Sequence, residues 1–528
     1  MRPAEPAVAL RARWQRTKDS QPAPELTIGL LASYTIDPVV PYLQLLSSDV
    51  DLPVAATVGP FGQIMAQCLD DHGEMARLRP DVLVVAPRLE DLPAGALDGA
   101  GAADELIGMA DAVLAAAGRW ECCPLFVLPA LPWHAPNGVG DAGRADGVMA
   151  TANAARAALR AHLSGRPGVL VADAEEAVRT VGTSHAFHPV MYRFARIPYS
   201  EEVFRELGAN LARLLRIRYA GRPRTALVDA SSLLESLMDD SVVTFLADLR
   251  AAGFRLVLRA TGDPEALWDT VVGAAPQLAH ELLDGWVVDA RPATEQLAGV
   301  VADAGRLLVL TADPALAALA EDVDGASALL LDVAPESWSS AAHAAGVFDW
   351  LPGGAVRVPE RRDRPAAALS LQDYIAGLAV SVGFHEVTAG LRDKAVEIVA
   401  RAKDFVFGLP DPSGRLTATP GRQVFAAKVT DRTGDYGFGA VVGMDCAGDR
   451  CTVDLLSISC PVMGRGVEDT LLDEIVRRAG DGGCDTVELC WQATGRNGVA
   501  VEFVEAATRR TWTSPTGREI KVRGVEVH

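Results

Sequence analysis

Short apolar runs alternate with amphipathic stretches through the first part of the chain. The runs have the length of buried strands, and the stretches between them are long enough for helices. Strands that are apolar throughout and separated by helices indicate a parallel sheet with both faces covered. The sequence therefore predicts five parallel strands, at 26–32, 54–58, 81–86, 125–128 and 168–173.

The same rhythm begins again after an amphipathic helix at 202–219. Further apolar runs alternate with alanine-rich helical stretches, which predicts a second doubly wound parallel sheet. A segment rich in proline, glycine and arginine at 351–365 then indicates a linker, and 369–407 has a helical pattern. The strands of the second sheet are predicted at 225–228, 254–258, 286–288, 307–310 and 328–331.

The last part of the chain has a different pattern. Segments 423–430, 437–444 and 451–459 predict strands of a meander, and 486–491 predicts another strand. Between them, 453–476 reads as a strand, a glycine turn and an amphipathic helix. The predicted fold class is α/β, with two doubly wound parallel-sheet domains followed by a mixed-sheet α+β domain. The predicted divisions are an N-terminal arm at 1–24, domains at 25–220 and 221–360, a helical connector at 361–407 and a last domain at 408–528.

Charge and composition exclude several classes of function. A formal net charge of −20 over 528 residues argues against sequence-independent binding of double-stranded DNA, which needs a basic surface. A local basic patch for a phosphopantetheine arm or a tRNA acceptor end stays possible. No apolar run approaches the roughly 20 residues that span a bilayer, so no membrane span is expected. The eight cysteines form no CxxC pair, which argues against structural zinc and favours a reducing, cytoplasmic location.

The glycine turn Gly464-Arg465-Gly466 is the best candidate for chemistry. A turn that leads into a helix offers free backbone N–H groups and a positive dipole end, a suitable place for a phosphate. Cys460 lies just before it, and the helix end and Arg465 are expected to lower its pKa. The alternatives are a nucleophile that carries an acyl group as a thioester and a core cysteine that points inward.

Four further residues belong to the predicted sites. Two of them have two interpretations each, and the other two support donor binding. Asn497 is predicted to orient an acyl carbonyl or a pantetheine amide, or else to cap a helix. Ser33, at the end of the first strand, is a candidate nucleophile or a turn hydroxyl. Val467 and Thr494 are predicted to complete the donor-binding surface around the glycine turn.

The chain resembles the FkbH-like family, whose members join an SGNH-like domain, a haloacid-dehalogenase-type (HAD) phosphatase domain and an acyltransferase-like (GNAT) domain. The resemblance covers nearly the whole chain. It rests on Ser33-Tyr34-Thr35, Val58-Gly59-Pro60-Phe61-Gly62-Gln63, Arg79-Pro80-Asp81, Arg196-Ile197-Pro198-Tyr199-Ser200, Ser459-Cys460, Gly464-Arg465-Gly466-Val467-Glu468 and Thr494-Gly495-Arg496-Asn497.

The resemblance implies a phosphatase motif that this sequence lacks. Asp229 matches the family's first aspartate, but Ser231 stands in place of the second. The family's Ser-Lys-Asn, lysine and Asp-Asp-Asn positions correspond to Ala260-Thr261-Gly262, to Asp289 and to Thr311-Ala312-Asp313. Phosphoryl transfer to an aspartate needs a metal and a general acid. We therefore expect a catalytically dead phosphatase fold that does not require Mg²⁺.

The predicted function is an acyl- or aminoacyl-transferase of specialised-metabolite biosynthesis. It would take a small activated acyl unit from an acyl carrier protein or an aminoacyl-tRNA and pass it to an amine, hydroxyl or thiol of a small-molecule acceptor. Pro461, where the family has arginine, weakens the case for CoA binding at the turn but leaves Gly464 and Gly466 free to approach a ligand such as the phosphopantetheine of a carrier protein. The alternatives are the family's transfer of a glyceryl unit from 1,3-bisphosphoglycerate to a carrier protein, and a non-catalytic docking scaffold for a carrier protein.

Overall fold

The computed structural model describes residues 5–50, 52–93, 95–98, 101–234, 239–262, 270–271, 273, 282–332, 334–351, 379–419, 421–431, 434–515 and 517–527. Most of the predicted linker at 351–365, and the part of the predicted helical segment before residue 379, lie outside these ranges. The chain divides into two compact units. One comprises 1–25, 39–55 and 204–359, and the other comprises 26–38, 56–203 and 360–528. The predicted domain divisions stay predictions.

A five-stranded sheet forms in the first part of the chain, with every predicted strand confirmed. The strands lie in the order β2-β1-β3-β4-β5, and the pairs β1–β3, β3–β4 and β4–β5 are parallel. The strands are β1 Leu26–Ala32, β2 Val54–Val58, β3 Val82–Ala86, β4 Cys123–Leu128 and β5 Leu170–Asp173. The helices up to residue 215 are α1 Ala7–Thr17, α2 Val40–Ser48, α3 Ile64–Leu69, α4 Glu74–Leu78, α5 Gly101–Trp120, α6 Val148–Leu163, α7 Ala174–Val181, α8 Thr183–Ala186, α9 Pro189–Ala195 and α10 Glu201–Leu215.

The second predicted parallel sheet is confirmed as well. Its order is β10-β9-β6-β7-β8, and all four neighbouring pairs are parallel. Separate apolar clusters cover its two faces, and strands such as β9 are therefore buried along their whole length. The elements are β6 Thr225–Asp229, α11 Ala230–Leu234, α12 Asp240–Ala251, β7 Arg255–Thr261, β8 Gly285–Asp289, α13 Ala293–Ala304, β9 Leu307–Thr311, α14 Pro314–Glu321, β10 Ala326–Leu330 and α15 Trp338–Ala344.

The third sheet is mixed, as predicted. Its order is β11-β13-β14-β15-β16-β18-β17, with β12 paired to β15 outside this path. The elements are β11 Ser381–Glu386, α16 Ala389–Arg401, β12 Phe405–Val406, β13 Arg422–Asp431, β14 Gly434–Ala447, β15 Arg450–Ile458, α17 Val467–Asp481, β16 Thr486–Trp491, α18 Gly498–Thr508, β17 Trp512–Thr513 and β18 Glu519–Glu526.

The predicted helix over 369–407 is wrong at two places among the described residues. Strand β11 begins at Ser381 and pairs antiparallel with β13. Its side chains alternate between half-buried Val382 and Phe384 and exposed neighbours, which is the period of a strand and not of a helix. Residues 405–406 are also a strand, so within the described part of this segment, 379–407, only α16 keeps the predicted conformation.

The segment 405–408 lies between two diverging strands of the third sheet. Strands β15 and β16 are paired only from Arg450↔Thr486 to Val453↔Leu489. Further along, β15 pairs with β12 instead, with Phe405 opposite Ile458. The gap between the two strands is therefore closed by the chain's own backbone. None of the helices among the described residues is both long and apolar enough to span a bilayer.

Candidate functional site

The candidate nucleophile Cys460 lies beside a carboxylate that the sequence analysis missed. Its Sγ is 3.6 Å from Oδ2 of Asp404, to which the thiol donates. Strand pairing explains the contact: Phe405 is opposite Ile458, so the residues just before β12 and just after β15 meet. Cys460 is only half-buried, and Asp404 is exposed. The arrangement offers a reachable thiol with a proton acceptor next to it.

The environment raises the pKa of Cys460, whereas we expected a lower pKa. Burial is the larger cause and the Asp404 carboxylate the next, because both disfavour the negatively charged thiolate. The predicted activation by Arg465 is wrong, since this guanidinium donates to Asp431 and to the carbonyl oxygen of Pro461. The thiol is therefore mostly protonated at neutral pH, and a nucleophilic role needs the proton to leave during the reaction.

The glycine turn already holds a carboxylate of the chain itself. The N–H of Gly464 donates to Oε1 of Glu468 at 2.6 Å. Burial raises the pKa of this carboxyl group, while the bond from Gly464 lowers it by favouring the charged form. One donor of the predicted phosphate site is therefore in use. Glu468 is in the first turn of α17, where a carboxylate also complements the helix dipole.

The other members of the predicted donor-binding surface are also engaged. Arg465 is paired with Asp431 and lies 4.7 Å from the ring centre of Tyr436. Val467 is fully buried and belongs to the core of the third sheet. Gly466, the N-cap residue just before α17, has a φ of +78°, a left-handed conformation that favours glycine. The polar groups of Gly464 and Arg465 face the chain's own carboxylates, and binding of a pantetheine phosphate at this turn stays a prediction.

Asn497 fastens the segment 405–408, and both protons of its side-chain amide are used in hydrogen bonds within the chain. Its Nδ2 donates to the carbonyl oxygens of Val406 and Gln492, both at 2.9 Å. Its Oδ1 accepts the N–H of Thr494 at 2.9 Å, and the residue is 2% exposed. An amide nitrogen has two protons, and both are used. The role of Asn497 in orienting an acyl carbonyl or a pantetheine amide stays a prediction, and Thr494 belongs to the same structural loop.

Replacing Asn497 with alanine should lower the free energy of unfolding by about 2–3 kcal/mol, because buried partners lose their hydrogen bonds. Urea unfolding measures the loss, and hydrogen exchange should localise it to peptides that contain residues 405–408. Arg496→Ala is the control, since Arg496 is exposed and its side chain makes no hydrogen bond among the described residues. Equal stability of the two variants would contradict the fastening role.

Two residues from the part of the chain that forms the first sheet, Gln63 and Glu74, lie near the Cys460 site in the same compact unit. Nε2 of Gln63 donates to the carbonyl oxygen of Met463 at 3.1 Å, in the turn that follows Cys460. A Cβ on Gly464 would lie 2.6 Å from Nε2 of the same glutamine, so the glycine allows this close approach. Burial raises the pKa of Glu74, and the nearby carboxylate of Asp404 raises it further.

Ser33, the second candidate nucleophile, has the contacts of a turn hydroxyl. It donates to Oδ2 of Asp91 at 2.9 Å and accepts the N–H of Arg88 at 2.9 Å. The other oxygen of Asp91 accepts a hydrogen bond from Tyr192 at 2.5 Å. No histidine among the described residues is hydrogen-bonded to Ser33, so the cluster contains no imidazole base. A nucleophilic role for Ser33 stays a prediction.

The Asp229 carboxylate of the second sheet is held by an arginine. Arg259, on the neighbouring strand, donates to Oδ1 at 3.0 Å. The hydroxyls of Ser231, Ser232 and Thr311 all donate to Oδ2. The carboxylate is 3% exposed, and a guanidinium already balances its charge. A divalent cation fits poorly here because it would have to displace a paired cation from a buried site.

The described residues contain no group of three or more histidine, cysteine, aspartate or glutamate side chains that could hold a metal ion. Two residues that shape the candidate sites were missed from sequence. Asp404 directly precedes the apolar run Phe405-Val406-Phe407 and its Gly408, which together signal a short buried strand. Arg259 is a charged residue inside an otherwise apolar strand, and such a residue usually has a buried partner.

No family model matches the sequence, and the search of curated proteins found no match. The chain is similar in structure to the N-terminal part of a Bacteroides fragilis protein that contains a phosphatase domain and was crystallised with Mg. That similarity has a TM-score of 0.51 at 10% identity and covers 66% of this chain and 99% of the other. A match to the ribosomal-protein-S18-alanine N-acetyltransferase of Escherichia coli has a TM-score of 0.20 at 16% identity, with 26% and 88% covered. The first similarity shows a shared fold and no activity.

Proposed function

We propose that this chain is an acyltransferase whose nucleophile is Cys460. The observation that carries the proposal is the half-buried thiol that donates to Asp404 at 3.6 Å. The thiol sulfur attacks the carbonyl carbon of an activated acyl donor, and its proton passes to Asp404. The bond between the acyl carbon and the donor's sulfur or oxygen breaks, and the leaving group takes up the proton. The nitrogen, oxygen or sulfur of the acceptor then attacks the thioester carbon, the bond from this carbon to Sγ of Cys460 breaks, and the proton of the acceptor returns to Sγ.

The donor is a thioester or an aminoacyl ester, as on a carrier protein or an aminoacyl-tRNA, and not an acyl phosphate. A donor such as 1,3-bisphosphoglycerate would require the Asp229 site for the removal of phosphate that the family carries out. Arg259 already balances that carboxylate, and the Asp-x-Asp pair of the phosphatases is missing because of Ser231. The second sheet is then a scaffold derived from a HAD-type phosphatase, the first is SGNH-like and the third GNAT-like, as in the FkbH-like family of specialised-metabolite pathways.

The test is intact-protein mass spectrometry after incubation with acyl thioester and aminoacyl ester donors. We expect a mass increase equal to one acyl group, removed by neutral hydroxylamine because thioesters are cleaved by it. Cys460→Ala should lose the adduct, whereas Cys490→Ala, which removes another half-buried thiol, should keep it. An adduct that persists in Cys460→Ala, or no adduct with any donor of either class, would contradict the covalent mechanism.

A second candidate is a non-catalytic protein that docks a carrier protein. The observation in its favour is that Gly464, Arg465 and Asn497 are all engaged by groups of the chain itself. Binding of a carrier protein by wild type and Cys460→Ala alike, without any acyl transfer, would favour this candidate. Transfer that depends on Cys460 would exclude it.

A further inference from the structure

Three cysteines meet at the turn that joins β14 to β15, away from the sites described above. Ala447 is opposite Arg450, and Cys446 is directly opposite Cys451. The N–H of Cys446 donates to the carbonyl oxygen of Gly421, just before β13, so it does not bond to β15. In antiparallel sheets a directly opposite pair without mutual hydrogen bonds has Cα atoms about 4.5 Å apart. That separation is within the range of about 4.4–6.8 Å that disulfides span.

The third cysteine packs beneath the same turn. Cys484 follows α17, and its N–H donates to the carbonyl oxygen of Ala479 at 2.9 Å. Its Sγ lies 3.9 Å from the carbonyl oxygen of Gly448, in the turn between the two strands. Cys451 and Cys484 are fully buried, whereas Cys446 is only half-buried. Cys446 is therefore the thiol of this cluster that a dissolved reagent can reach.

The cluster makes Cys446 the most acidic of its three thiols. Hydrogen bonding from Cys451 lowers the pKa of Cys446 most, burial opposes the shift, and Cys484 adds a further hydrogen bond that lowers it. The pKa of Cys451 is raised, first because its proton is held in the bond to Cys446. Burial raises the pKa of Cys484. The reachable sulfur is thus also the one that ionises first, and the thiolate is the reactive form.

We propose that Cys446 and Cys451 are a peroxide-oxidised pair that forms a cross-strand disulfide. The Cys446 thiolate attacks one oxygen of a peroxide, an S–O bond forms, the O–O bond breaks, and the released hydroxide is protonated to water. The Cys451 sulfur then attacks the sulfur of the sulfenic acid, the S–O bond breaks, and a second water leaves with the Cys451 proton. Two thiols are oxidised, and one hydrogen peroxide is reduced to two waters.

The pair is independent of the proposed acyl transfer. Cys451 is at the start of β15, and Cys460 follows its end, so the two are about 25–30 Å apart along an extended strand at roughly 3.3 Å per residue. The disulfide fixes the end of the hairpin far from the candidate nucleophile. Acyl loading of Cys460 and formation of the disulfide can therefore succeed or fail separately.

The test uses the wild-type chain, treated with a small excess of hydrogen peroxide, alkylated under denaturing conditions and digested with trypsin without reduction. Cleavage after Arg450 separates the two cysteines, so a disulfide appears as two linked peptides that dithiothreitol releases. Because Cys460 shares a tryptic peptide with Cys451, fragment spectra must place the bond at Cys451 and the alkyl group at Cys460. We expect this linkage as the main product.

Two variants make the test sharper. Cys451→Ser should stop at the sulfenic acid of Cys446, trapped by dimedone, whereas Cys484→Ser should still form the Cys446–Cys451 bond. A linkage of Cys446 to Cys484 in the wild type, or alkylation of both Cys446 and Cys451 after peroxide treatment, would overturn the proposal. The wild-type experiment decides the matter even where a variant fails to fold.

Discussion

Arg259→Met should destabilise the second sheet by about 3–5 kcal/mol, the cost of removing one partner of a buried ion pair. Asp229 is 3% exposed, and Arg259 is its only cationic partner among the described residues. Without the guanidinium, a buried carboxylate keeps its hydroxyl donors and loses its counter-charge. Hydrogen exchange of peptides from β6 and β7, read as local free energies of opening, measures the loss.

Two controls separate the ion pair from the loss of a long side chain. Arg291→Met removes an arginine from an exposed pair with Asp289 and should leave the exchange rates nearly unchanged. The double variant Asp229→Asn/Arg259→Met should be more stable than Arg259→Met alone, since it buries no net charge. If the double variant is the less stable of the two, the role assigned to Arg259 is wrong.

Asp404→Asn should make Cys460 react several-fold faster with iodoacetamide near neutral pH. Asp404 is the second cause, after burial, of the raised pKa of this thiol, so its neutral replacement lowers the pKa. A change of one pKa unit alters the thiolate fraction about tenfold where the thiol is mostly protonated. In the wild type the alkylation rate of Cys460 should keep rising with pH beyond the usual pKa range of thiols. In the variant the same rise should begin at a lower pH.

The alkylation rate is measured by peptide mass spectrometry at several pH values. Cys490 is an internal control, because its raised pKa comes from burial first and from carboxylates other than Asp404. Its rate should be the same in wild type and variant. An unchanged or slower rate at Cys460 would show that Asp404 does not influence the thiol, and it would remove the proton acceptor from the proposed mechanism.

The two parallel sheets could be predicted because their strands are apolar throughout. Leu307–Thr311, for example, is buried at every position, and an apolar run of this length between helical stretches is typical of a strand in a parallel sheet. Strand β11 was missed because the alternation of Val382 and Phe384 is short and adjoins the true helix α16. Periodicity over four or five residues does not separate the two structures.

The candidate sites were predicted less well than the fold, since pairing across the chain decides them. Motif spacing located Cys460 and the glycine turn, but the carboxylate that accepts the thiol proton comes from residue 404 through the register of β12 on β15. Likewise, the loss of Asp-x-Asp was visible from Ser231, whereas the compensating Arg259 on β7 needed the sheet order. Local sequence does not report which distant charge completes a buried site.

Phosphate release from 1,3-bisphosphoglycerate in the presence of Mg²⁺ tests most directly whether the chemistry resides at Cys460 and not at Asp229. Wild type and Asp229→Asn are compared under single-turnover conditions with a carrier protein present. We expect that wild type and Asp229→Asn release phosphate at the same rate, so that no release depends on Asp229. Stoichiometric release by the wild type that disappears in Asp229→Asn would contradict the proposed function and restore the second sheet as a phosphatase.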